Sequence, residues 1–186
     1  MNRGVFCIEG EWNHTDLSDR SSVNLLLETL SQVEADFEYI YRRVAKKEEF
    51  DYYLKKWLQK KYQRYGVLSL AMHGKPRILE LAGDRNKITL ADLEKTIAGG
   101  GKGRVVYFGS CDTLDVSESE IKNFKKNTKV EAVIGHREAV GWIESAAFEM
   151  LLFNQLRCYK TLSVIEKRLR KDYKGLSEKL GLVFVS

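Results

Sequence analysis

Six short apolar runs, separated by longer stretches of helical periodicity, constrain this chain more than any other feature. The runs cover residues 4 to 9 (GVFCIE), 37 to 42 (FEYIYR), 66 to 72 (GVLSLAM), 104 to 109 (RVVYFG), 129 to 134 (KVEAVI) and 182 to 185 (LVFV). Several are almost continuous in apolar side chains. That suits strands buried on both faces of a parallel sheet, where a half-wet strand would alternate. Parallel strands need crossovers, and the stretches between the runs supply helices for them. Residues 47 to 64 place Phe50, Tyr53, Leu54, Trp57, Leu58 and Lys61 on one stripe. Residues 142 to 157 place Ile143, Ala146, Ala147, Met150, Leu151 and Asn154 at the same spacing, and residues 162 to 180 place Leu162, Ile165, Leu169, Tyr173, Leu176 and Leu180. A leucine-rich helix covers 22 to 33, and Thr89-x-x-Asp92 and Ser117-x-x-Glu120 are capping boxes that open two more. The expected class is α/β: a three-layer sandwich with a mostly parallel six-stranded sheet and helices on both faces. Residues 77 to 90 interrupt the alternation with two short apolar runs around Gly83-Asp84-Arg85-Asn86, which predicts an inserted β-hairpin.

At 186 residues, 44% of them hydrophobic, the chain is expected to form one domain over 1–186. No stretch approaches the ~20 apolar residues that a spanning helix needs. The N-terminus reads as a first strand rather than a signal peptide, so a cytoplasmic location is expected. Cys7, Cys111 and Cys158 are odd in number and far apart, and His14, His73 and His136 lack metal-site spacing. Neither a disulfide framework nor a metal or other cofactor is expected. The glycine run 99 to 103 precedes a strand, which makes it a turn and not a phosphate-binding loop.

The net charge of +5 is uneven: residues 42 to 64 hold nine basic and three acidic side chains, and residues 157 to 179 eight and three. These read chiefly as solvated faces of amphipathic helices. A nucleic-acid-associated accessory role is the charged alternative, and nucleic acid is not the expected partner.

Chemistry is expected where parallel strands end, because loops from neighbouring strands meet there. The third run ends in Met72-His73-Gly74 and the fourth in Gly109-Ser110-Cys111-Asp112. If the two strands are neighbours, His73 and Cys111 stand over one edge. A thiol of pKa ~8.5 is mostly protonated at neutral pH, and an imidazole beside it raises its thiolate fraction. The N–H groups of Gly74 and Cys111 are the natural donors to an oxyanion. Two other readings stand beside this one: Cys111 as a core thiol, and His136, which also follows a strand, as the base.

The segments SLAMHGKP, ITLADLEK, RVVYFGSCDTL and KVEAVIGHREAVGWIESAAFEMLLFNQL together resemble the CHAT branch of the caspase-like (clan CD) cysteine peptidases. The resemblance covers about residues 66 to 156. Ser110-Cys111-Asp112-Thr113 is similar to the family's cysteine motif, with Ser110 where alanine is usual and His136 where tryptophan often stands. It implies a caspase-like fold, His73 as base, Cys111 as nucleophile, protein substrates and an activating or regulatory protein partner. A catalytically silent binding or assembly module on the same fold is the main alternative. In caspase-like enzymes the loop after the first strand helps line the substrate pocket. Here that loop runs from Glu9 to Arg20, which nominates Asp19 and then Asp16 to select lysine or arginine, with Asp112, Trp12 and His136 as further lining. The rival assignments are Arg20 selecting an acidic residue and an apolar pocket walled by Trp12.

Overall fold

Strands form where β-branched and aromatic residues concentrate. The structure is a computed structural model describing residues 3–13, 15–16, 18–82, 87–139 and 141–186. In chain order its strands are β1 (Val5–Glu9), β2 (Tyr39–Arg43), β3 (Val67–Ala71), β4 (His73–Lys75), β5 (Ile78–Glu80), β6 (Lys87–Thr89), β7 (Val105–Phe108), β8 (Ala132–His136) and β9 (Leu182–Val185). Its helices are α1 (Asn24–Val33), α2 (Lys47–Trp57), α3 (Leu90–Ile97), α4 (Glu118–Thr128), α5 (Trp142–Cys158), α6 (Leu162–Asp172) and α7 (Lys174–Lys179).

The main sheet has the order β2-β1-β3-β7-β8-β9. The first five strands are parallel and β9 runs antiparallel to β8. Successive side chains of a strand point to opposite faces, so each strand feeds two cores. Phe6, Ile8, Val106 and Phe108 pack beneath α2, α3 and α4. Val5, Cys7, Val105 and Tyr107 pack beneath α1, α5 and α6. The result is the expected three-layer α/β sandwich. Thr89 and Ser117 cap α3 and α4 through reciprocal capping boxes with Asp92 and Glu120. Among the described residues no helix is long and apolar enough to cross a membrane.

The chain leaves β1 for β2 on one side and returns to β3 on the other. A reversal of this kind opens a crevice between the carboxyl ends of the two strands. The crevice holds the candidate site.

Three expectations need correction. The helix expected over 47 to 64 stops at Trp57, because Arg104 takes the carbonyl oxygen of Trp57 (2.6 Å) and its guanidinium stacks on the indole. A short 3₁₀ turn, Lys60–Tyr62, follows. The helix expected over 162 to 180 breaks at Tyr173 (φ −125°, ψ 39°), and Ser177 folds back to donate to Leu169 O at 2.9 Å. The inserted hairpin is present as expected, as β5 and β6, and residues 73 to 75 add a third antiparallel strand to it; residues 83–86 lie outside the described residues. Finally, α5 buries a different face from the one expected. Ser145, Phe148, Glu149, Leu152, Phe153 and Leu156 are buried, whereas Ile143 is 75% exposed. The buried stripe carries the larger rings but also a carboxyl and a hydroxyl: Glu149 accepts from Ser145 and, from below, from Tyr107.

Candidate active site

The loop after β1 is fixed by the last residue of the strand. Glu9 is fully buried, and four donors converge on its carboxyl group. Oε1 accepts from Trp12 Nε1 and from the Val23 N–H, each at 2.7 Å. Oε2 accepts from Ser22 Oγ (2.7 Å) and from Tyr41 Oη. Burial, and then this bond to Glu9, push the Tyr41 hydroxyl up from its ordinary value. One side chain thus ties together the β1 loop, the start of α1 and the edge strand β2.

That loop orients His73. Its Nε2 lies 2.7 Å from the carbonyl oxygen of Trp12. A carbonyl only accepts, so Nε2 carries the proton and the neutral ring keeps its lone pair on Nδ1. The indole of Trp12 meets the imidazole edge-on, with centroids 5.3 Å apart, and Trp142 meets the same indole at 5.2 Å.

The loop after β7 is fixed differently. β7 pairs directly with β3, and Gly109 N donates to Leu70 O at 2.9 Å. Beyond it, the buried hydroxyls of Ser110 and Thr113 are 2.8 Å apart. Thr113 Oγ1 lies 3.2 Å from Cys111 O and 3.3 Å from Ile78 O. Because Thr113 has a single proton to give to those carbonyls, Ser110 is the donor between the two hydroxyls. Arg77 N–H then donates to Thr113 O at 3.2 Å. Asp112 adopts φ +52°, a left-handed conformation that aspartate tolerates better than most residues, and the chain turns sharply just past Cys111.

The two loops meet at Gly74. A Cβ there would lie 2.2 Å from Thr113 Oγ1, 2.3 Å from Cys111 O and 3.0 Å from Ser110 Cβ. Only glycine permits that approach, and it brings the residue after His73 onto the backbone of Cys111. His73 and Cys111 line one cavity of about 460 Å³. Its remaining wall includes Trp12, Trp142, Leu26 and Ala146, with Gly109 and Glu149.

Of the residues expected in a substrate pocket, Trp12 lines this cavity. Asp16 and Asp19 do not. Each accepts from a backbone N–H and a hydroxyl two residues on, Ser18 for Asp16 and Ser21 for Asp19. Those bonds hold both carboxyls below their ordinary values. Asp112 sits in the turn, half-buried, and is not a lining residue. His136 is fully buried in the core, its ring edge-on to Phe148 and Tyr107. Burial lowers it to about 4. A neutral, sealed imidazole is a poor candidate for a base. His14 lies outside the described residues.

Sequence reasoning missed Glu149. It is 2% exposed and lines the cavity. Tyr107 Oη (3.2 Å) and Ser145 Oγ (3.3 Å) both donate to its Oε1. Since Tyr107 donates there, His136 Nε2, 3.0 Å from the same hydroxyl, must donate to Tyr107. Burial raises Glu149 to about 8. Among the described residues, no three His, Cys, Asp or Glu side chains are grouped to hold a metal ion.

The profile of DUF6642, described as a family of unknown function, matches residues 2–184. The chain belongs to that family. No curated protein matches it. Among solved structures, this DUF6642 member is similar to caspase-1 from Spodoptera frugiperda, with a TM-score of 0.57 and 16% identity over 100% of this chain and 86% of that one. At that identity the likeness shows the fold: the sheet and its helices are caspase-like.

Proposed function

We propose that this DUF6642 member is a cysteine endopeptidase acting on protein substrates through a His73–Cys111 dyad, and that it belongs with the CHAT-type enzymes. The observation that carries the reading is the placement of both side chains on one cavity, at neighbouring strand ends locked together by Gly74. The hydrogen bond from His73 Nε2 to Trp12 O supports it further, because it leaves Nδ1 as the proton acceptor. The Ser110-Cys111-Asp112-Thr113 motif supports the CHAT assignment, with Ser110, where alanine is usual, bonded to Thr113.

The reaction runs in two steps. His73 takes the thiol proton, and the Cys111 sulfur attacks the carbonyl carbon of the scissile peptide. The oxygen takes up negative charge against the N–H groups of Gly74 and Cys111. The imidazolium then protonates the leaving amine as the C–N bond breaks. Water, deprotonated by His73, attacks the thioester, and the carboxylate product departs as the thiol re-forms. The fold is also consistent with control by a separate regulatory protein.

The test is an unbiased peptide-library digestion read by mass spectrometry, comparing the native chain with Cys111→Ala and His73→Ala. New peptide termini made by the native chain and absent with both variants support the reading. Termini produced equally by Cys111→Ala would overturn it.

A further inference from the structure

The cavity that holds the dyad has a second, unused group. We infer that Glu149 is the specificity-determining residue of this cavity, and that the cavity takes a side chain with an aliphatic stem and a cationic end, a lysine or an arginine. As a statement about substrate, this rests on the peptidase reading; as a cation site, it stands on the cavity alone.

Position comes first. Gly109 is two residues before Cys111, and a Cβ on it would lie 2.9 Å from Glu149 Oε1. The carboxyl therefore sits directly against the strand end that carries the nucleophile. A substrate residue whose carbonyl reaches Cys111 projects its side chain into the same cavity. The walls, Trp12, Trp142, Leu26 and Ala146, suit methylene groups, and the single buried acid lies where the end of a long stem arrives. Arg20 also lines the cavity, but its side chain is solvent-exposed, where a charge pair contributes little.

Bonding comes second. Both donors to Glu149 reach Oε1, and both bonds are long, at 3.2 and 3.3 Å. A carboxyl held for structure alone is normally surrounded by donors, as Glu9 is. The titratable groups facing Glu149 are Tyr107 on β7, with His136 of β8 behind it, and Cys7 and Glu9 on β1. His73, Cys111 and Arg20 face the cavity it lines. The described core around it brings no cation to it. Burial keeps Glu149 protonated at neutral pH. An arriving cation would ionise it, so binding must release a proton.

The test uses agmatine, a guanidinium on an aliphatic stem, and a Cys111→Ala/His73→Ala chain in which neither dyad group contributes protons. Isothermal titration calorimetry in two buffers of different ionisation enthalpy counts the protons released. We expect saturable binding, release of close to one proton at pH 7, and affinity rising by up to about tenfold per pH unit between pH 6 and 8. Adding Glu149→Gln should weaken binding at least tenfold and abolish proton release. If that variant does not keep the native near-UV spectrum, the proton count with Glu149 in place decides. Absence of saturable binding, binding without proton release, or tighter binding of glutarate would each overturn the inference. Loss of the peptidase reading would show separately, as no Cys111-dependent cleavage while agmatine still binds.

Discussion

Two carboxyl groups are buried at the same end of the sheet, one on each side of the crevice, and the fold treats them in opposite ways. Glu9, at the end of β1, receives four donors from three segments of chain. Glu149, on α5, receives two, both on one oxygen, and lines the cavity. A saturated acceptor is a brace: it fixes Trp12, and through the Trp12 carbonyl it fixes His73. An under-bonded acid on a cavity wall is available to a ligand. The contrast teaches that two equally buried acids can differ in how many donors the fold gives them.

If Glu9 is the brace, its substitution should give the largest effect. Glu9→Leu removes both acceptor oxygens and leaves the Trp12 and Val23 N–H groups, which cannot turn to accept, without a partner. The expected cost is about 2–4 kcal/mol, since each buried group left unsatisfied costs roughly 1–3 kcal/mol. Urea unfolding measures it, and peptidase activity should fall as well, because Trp12 no longer holds His73. A cost no larger than that of Glu149→Gln would remove the distinction between the two acids.

The next effect sharpens the same comparison by testing the close approach at Gly74 that joins the two loops. Gly74→Ala forces a methyl group onto Cys111 O and Thr113 Oγ1. A cost of roughly 1–3 kcal/mol is expected for such overpacking, with loss of Cys111-dependent cleavage. Unfolding curves and library digestion of the variant check both parts.

Smaller is the effect of Glu149→Gln at pH 5, one point on a pH dependence with two opposed limbs. Glu149 is raised from 4.5 to about 8, so its contribution is complete below pH 4.5 and is lost as pH rises to about 8. His136 is lowered from 6.5 to about 4, so its contribution is complete above pH 6.5 and is lost as pH falls to about 4. Glu149→Gln should change stability by less than about 1 kcal/mol at pH 5 and should flatten the alkaline limb, because an amide replaces an already neutral acid. His136→Gln should flatten the acid limb instead. Denaturant titrations from pH 4 to 9 would show each limb.

The smallest expected effect concerns Asp16 and Asp19. Their carboxyls are turned into their own loop, so Asp16→Asn and Asp19→Asn should leave the choice between cationic and other substrate side chains unchanged within about twofold, a surface-level perturbation. A lost preference in either variant would return selectivity to the loop and away from Glu149.

Much of this arrangement was legible in the sequence. The apolar runs announce strands buried on both faces, and the observed spans begin and end within a few residues of the expected ones. His73-Gly74 and the Ser110–Thr113 segment lie after neighbouring strands, as expected. What was hidden was hidden for physical reasons. The α5 sequence contains two overlapping stripes, and the one free of carboxyls looks like the better core. The stripe actually buried includes Glu149 and Ser145 because Tyr107, itself buried in β7, supplies a hydroxyl beneath them. No residue pattern announces the Trp12 carbonyl as the partner of His73, since every residue has a carbonyl. Asp16 and Asp19 looked like pocket acids because sequence shows charge but not direction, and their serines two residues on turn them away.

The dyad itself is tested most directly by alkylation kinetics. Iodoacetamide is applied to the folded native chain and to His73→Ala at pH 6.5, and the labelling of each cysteine is followed by peptide mass spectrometry. Cys7 is sealed in the core with its thiol pushed up by burial, and Cys158 is exposed on α5, so the two serve as internal references. The account predicts that Cys111 reacts at least about tenfold faster than Cys158, as a thiol with a base beside it should. It also predicts that His73→Ala brings Cys111 down to the Cys158 rate. Equal rates for Cys111 and Cys158 in the native chain, or a fast Cys111 that is indifferent to loss of His73, would contradict it.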